Sequence, residues 1–129
     1  MLNEALYTYL SAHSGISALV SNRIYPDELP ESVTFPAVVI TSISLEATFS
    51  HEGDSNLDTA RVQLDAYAAD RATATAILVQ CRSALSGKIW AAGGVRVQAG
   101  FLANQPPGGW DEALKKWRMT HDYLITYSA

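Results

Sequence analysis

A chain of 129 residues, 48% hydrophobic and 17% charged, has the balance of an ordinary folded protein. It is long enough to bury roughly two-thirds of its unfolded surface without a disulfide or metal staple. The net charge of -4 argues against a protein that grips nucleic acid by neutralising phosphates, since that needs a basic patch or stripe. Cys81 is the only cysteine, which removes an intramolecular disulfide framework and a cysteine-based zinc site, and points to a reducing compartment.

The opening MLNEALYTYL has no basic n-region, and Glu4 interrupts what would be the apolar core of a signal peptide. No apolar run approaches the roughly 20 residues of a membrane span, so no membrane partner is expected and residues 1–129 read as one cytosolic domain. Leu2, Ala5, Leu6, Tyr9 and Leu10 fall on one helical face, with Gly15 placed to end that helix and a short second turn following over Ile16 to Val20. Pro26, Pro30 and Pro36 each remove a backbone donor and push the preceding residue from helical angles. Arg23 to Phe35 is therefore expected as an extended surface strap rather than a regular element.

A first strand begins near Ala37, with Val39, Ile43, Leu45, Ala47 and Phe49 read as its apolar face. Ser50 to Asp58 reads as a polar loop, and beyond it Ala60, Val62, Leu64 and Ala66 alternate with Arg61, Gln63 and Asp65 in a second strand. Asp70 is a helix N-cap candidate, and Ala74, Ile77, Leu78, Cys81 and Leu85 form the stripe of a helix that ends before Gly87. After the Gly93-Gly94 turn, Val95, Val97, Ala99 and Phe101 alternate with Arg96, Gln98 and Gly100 as a third strand. Asn104 to Glu112 reads as a loop by its Pro and Gly content. The segment from Lys115 to Tyr127 closes the chain as a fourth strand, with Trp117, Met119, Tyr123, Ile125 and Tyr127 on one face. The expectation is an α+β fold: a mainly antiparallel four-stranded sheet in two hairpins, with two main helices packed on one face.

Little chemistry is legible in this pattern. His13, His51 and His121 lack the spacing that puts two imidazoles on one metal. Asp54, Asn56 and Asp58 match the opening of a calcium loop, but Thr59 stands where the obligatory glycine belongs, so a solvated hairpin tip is the preferred reading. No nucleophile elbow or phosphate-binding glycine motif is present, and Cys81 lies on an apolar stripe as a buried structural thiol, so neither an enzyme nor a cofactor is expected. Trp110 in the Pro/Gly loop and Tyr25 in the strap are large aromatics in exposed segments, a placement favoured for interface anchors. Four strands leave two sheet edges, and neither outer strand is identifiable from its sequence as heavily charged or proline-broken, which makes pairing with a neighbouring subunit physically easy.

The run from Asn22 to Pro26 (NRIYP), the nearby Leu29-Pro30 and the segment Phe35 to Ile40 (FPAVVI) resemble the tail-completion, or tail-terminator, family of long-tailed bacteriophages and gene-transfer particles. The resemblance continues through Val62 to Ala68, the alanine-rich helix after Asp70 and His121 to Tyr127, and so covers nearly the whole chain. Asn104 to Glu112 has no match in that pattern. The resemblance implies a non-enzymatic virion subunit, assembled in the host cytoplasm. It would form a homo-oligomeric ring, a hexamer, on the head-proximal end of the tail tube, stop tube growth and dock the tail to the head connector or stopper protein. Its partners would be copies of itself, the tail tube protein and the connector, with DNA only passing through the lumen. Interface candidates are Arg23, Tyr25, Pro26, Phe35, His51, Glu52, Asp54, Asp58 and Trp110, and either Glu52, Asp54 and Asp58 or else the acidic residues Asp27, Glu28 and Glu31 are candidates to face the lumen. Fixed negative charge there would give sliding DNA no phosphate-neutralising grip. The competing readings are another neck or connector protein and a small-molecule-binding α+β domain using the space between sheet and helices.

Overall fold

The computed structural model describes residues 2–50 and 53–128, with side chains described outside 43–57. Three helices, α1 (Leu2–Ser11), α2 (Ser14–Val20) and α3 (Arg71–Leu85), accompany seven strands. The strands are β1 (Ile24–Pro26), β2 (Ala37–Ser50), β3 (Gly53–Ala68), β4 (Trp90–Ala92), β5 (Val95–Asn104), β6 (Gly109–Asp111) and β7 (Lys116–Ser128). They form a single sheet in the order β1-β2-β3-β7-β5-β4, with β6 also pairing to β7. The α+β class and the four long strands are as expected, but a four-stranded sheet is not: three further strands of three residues each complete it. Strands that short give period-2 alternation no room to register. Pro26 concealed β1, which pairs parallel to Val38–Ile40 of β2 as an edge strand, the sheet position that tolerates proline. The strap thus contains an element.

The helices form for the reasons their sequences suggest. Leu2, Ala5, Leu6 and Leu10 of α1 are buried as one stripe. Gly15 does not end that helix, however; it lies in the first turn of α2, and the chain turns earlier where His13 N–H donates to the Leu10 carbonyl. In α3 the Asp70 carboxylate accepts from Thr73 N–H at 2.7 Å, and this bond to the backbone holds its pKa below the usual carboxylate value. The buried stripe Ala74, Ile77, Leu78, Cys81, Ala84 and Leu85 packs on β3, β5 and β7. Gly100 makes the docking possible: a Cβ there would lie 2.9 Å from the Leu85 carbonyl oxygen, and Gly87 N–H donates to the Gly100 carbonyl at 2.8 Å. Helix α1 packs against both β1 and β4, the two ends of the strand order, so the sheet curls round it. One apolar core joins the three helices to Val38, Ile40, Ala60, Val62, Leu64, Val97, Tyr123 and Ile125.

Bulges correct two expected faces. In β2 it is Val38 and Ile40, opposite Ala66 and Leu64, that enter the core, while Val39 faces the other side beside Asp65. A register shift between Ser42 and Ser44 then exchanges odd and even positions. In β5 a shift between Val97 and Ala99 turns Phe101 outward, 60% exposed. The expected loop from Ser50 to Asp58 is mostly strand: β2 runs to Ser50, β3 starts at Gly53, and Phe49 pairs with Asp54. The pairing of β7 to β3 starts only at Asp58, so this stretch of hairpin extends past the rest of the sheet and needs no apolar alternation.

Candidate interaction surface

The strap residues divide between internal and external roles. Ile24 is in the core, and the Arg23 carbonyl accepts from Val38 N–H at 3.0 Å. Arg23 Nε donates to the Pro36 carbonyl at 2.9 Å, so the arginine proposed for contact clamps the two ends of the strap together. Tyr25 is half-buried opposite Val39, and Pro26 is exposed. Asp27 follows β1 with φ 69, its N–H donating to the Ile40 carbonyl at 2.8 Å, and Asp27, Glu28 and Glu31 are all exposed. Phe35, half-buried, lies 6.5 Å from the Tyr67 ring, with Lys116 Nζ 5.0 Å from its own centroid. The strap therefore presents acids to solvent and tucks its aromatics partly onto the sheet.

Trp110 stands apart on β6 and is 47% exposed. Its ring meets Trp117 edge-on at 5.7 Å, and its Nε1 donates to Glu112 Oε2 at 2.7 Å. Gly108 allows this approach, since a Cβ there would fall 2.9 Å from the Arg118 carbonyl oxygen and into Met119. Pro107, Trp110, Asp111, Glu112 and Arg118 line an open cavity of about 360 Å³. Asp58 sits opposite Tyr127, whose pKa is raised by burial first and by the Asp58 charge second. Of the hairpin candidates, His51 and Glu52 lie outside the described residues, and Asp54 is placed only by its backbone, opposite Phe49.

The face of the sheet turned away from the helices holds what sequence reasoning missed. Asp65 and Asp122 are buried there at 5% and 4% exposure. Asp122 pairs with Arg61 at 3.0 Å, while Asp65 accepts from Thr120 Oγ1 and from Gln63 Nε2 at 2.9 Å, with Arg118 Nε at 4.0 Å. A hydrogen bond to Tyr67 raises the pKa of Arg118 further. Next to this charged network, Phe101 and Leu124 form an exposed cross-strand apolar pair. Alternation announces a polar face but not its partners, which depend on the register of strands some 60 residues apart.

The interior offers little reactivity. Cys81 is fully buried, and burial pushes its thiol up to about 12, so almost none is thiolate near neutrality. Burial also raises the Tyr123 hydroxyl. His121 lies on the helix-covered face, where burial and then Arg82 hold its pKa below the ordinary value. Among the described residues no group of three or more His, Cys, Asp or Glu is arranged to hold a metal ion. The geometry is that of a surface for contact, with charges neutralised pairwise on one face and aromatics displayed at its margins.

Comparison with known proteins gives two findings. The family model described as tail completion protein gp17 matches residues 4–118. A chain in the solved structure titled "Virion of native gene transfer agent (GTA) particle" shares the fold, with a TM-score of 0.81 and 18% identity over 99% of this chain and 95% of that one. No curated protein matches.

Proposed function

The chain belongs to the tail completion family, with a structural role in the tail of a phage-like virion, and from that premise we propose that it closes the head-proximal end of the tail tube as a ring of identical subunits, six in number. The ring halts tube growth and joins the tail to the head connector or stopper protein, with tube protein below and connector above. DNA passes through the lumen without specific binding, and the protein carries out no catalysis. The observation that carries this reading is the coincidence of a family match over residues 4–118 with a fold shared along 99% of the chain with a protein of a gene transfer agent virion.

The surface supplies parts for such a joint. Trp110, Tyr25, Pro26 and Phe35 contact neighbouring subunits or partners, as do His51, Glu52, Asp54 and Asp58, and the described part of the β2-β3 hairpin extends past the start of the β3-β7 pairing. Asp27, Glu28 and Glu31, exposed in a chain of net charge -4, lie at the lumen, where a net negative wall keeps the DNA backbone from adhering. Arg23 supports this surface from within through its bond to Pro36. Particles assembled without the protein test the reading: electron microscopy should find tailless heads beside free tubes of uncontrolled length. Tubes of normal length that merely fail to bind heads would assign the protein to another layer of the neck.

A further inference from the structure

Two exposed features flank α1. Beside the edge strand β1, Asn3, Glu4, Tyr7, Thr8, Ile24 and Pro26 line a largely apolar groove of about 330 Å³. Asp27 shares an adjoining hollow with Asn3, Glu4 and Pro26, Glu28 follows it in the chain, and both are exposed. At the other end of the strand order, just before β4, Ile89 is 78% exposed, although an isoleucine of a folded chain is usually buried. Lys88 precedes it, and Arg96 stands on β5 opposite Ala91 of β4, both exposed.

We propose that the Lys88-Ile89 turn of one copy seats in the Tyr7–Pro26 groove of the next, Ile89 entering the groove and Lys88 reaching Asp27 and Glu28 where the strap meets the lumen, which leaves the strap acids together still net negative. The occupant is a second copy because the two surfaces are opposite in sign and alike in being apolar at their centres, an exposed isoleucine with basic neighbours against an apolar groove with acidic residues beside it. Neither surface suits a two-fold contact with itself, since acid would meet acid or base would meet base. Different patches meeting head to tail close into a ring when the rotation allows. The inference rests on the ring reading and names the contact that would build it.

The test mixes two purified full-length variants, Tyr7→Cys and Ile89→Cys, under mild oxidation. The native thiol of Cys81 is fully buried and contributes no background. A covalent heterodimer should form only in the mixture, with circular dichroism showing both variants folded. Adding Lys88→Glu to the Ile89→Cys chain should lower the yield at least tenfold, and adding Glu28→Lys to the Tyr7→Cys chain should restore it. No heterodimer, homodimers of either variant at equal yield, or indifference to charge reversal would overturn the contact. Microscopy separates the two claims: a ring at tail ends without this cross-link leaves the ring standing and removes the contact, whereas the cross-link without a ring does the opposite.

Discussion

Replacing Trp110 with alanine separates a residue that stabilises its own subunit from one that anchors another. About half of the side chain is covered within the subunit, by Trp117 and the β6 loop. Full burial of a large aromatic removes about 250 Å² from water, so the covered half is worth about 3 kcal/mol at roughly 25 cal/mol per Å². A compact unfolded chain trims that to about 2 kcal/mol. For a domain of this size each kcal/mol shifts the melting temperature by about 4 °C, so Trp110→Ala should melt roughly 8 °C lower. The exposed 47% is what an interface would use. A buried aromatic anchor contributes about 2 kcal/mol or more to association, or roughly 30-fold in affinity. Differential scanning fluorimetry of the purified variant, beside quantification of capped tails in a reconstitution with tubes and heads, reads both effects. The reasoning is refuted if capping, corrected for the folded fraction, is unchanged while the melting temperature falls as calculated.

Tyr25→Ala should lower monomer stability by only about 1 kcal/mol but weaken ring assembly at least tenfold; the reverse ranking would make the strap a part of the core alone. Deleting Glu52 to Asn56 should leave far-ultraviolet circular dichroism and the melting temperature nearly unchanged while abolishing tail assembly, because β3 pairs with β7 only from Asp58 onward. Loss of folding would show that this stretch supports the sheet. His121 has a folded pKa held below its unfolded value near 6.5, so the unfolded chain binds the proton more readily and stability falls as pH drops from about 6.5 through the folded pKa. Thermal melts between pH 7.5 and 5 should show this loss in the natural chain and a flatter profile in His121→Gln. Gly100→Ala forces a methyl group to 2.9 Å from the Leu85 carbonyl, and should cost about 1–3 kcal/mol in urea unfolding; an unchanged midpoint would mean that the end of α3 shifts freely on β5.

How far the fold can be read from the chain depends on the range of the forces involved. Helix α3 is legible because cap, stripe and stop are local: Asp70, the apolar positions from Ala74 to Leu85, and Gly87 state it within one stretch. The faces of β2 and β5 are not, because register shifts within each invert the alternation, and neither Val38 nor Phe101 carries a local mark of it. Strands β1, β4 and β6 exist only as additions to longer neighbours, so their three-residue sequences hold no independent signal. The surface follows the same rule. Trp110 and the strap acids stand out as residues that a Pro-rich or Gly-rich stretch leaves in solvent. The Arg61–Asp122 pair and the exposed Ile89 required the three-dimensional register and exposure to find.

The most direct test of the ring is an electron-microscopic reconstruction of the neck of particles carrying a labelled copy of this protein. The label should occupy one closed layer of six subunits between the last ring of tube protein and the head connector, with Asp27, Glu28 and Glu31 lining the channel. Label found elsewhere in the particle, or no label in mature virions, would contradict the account.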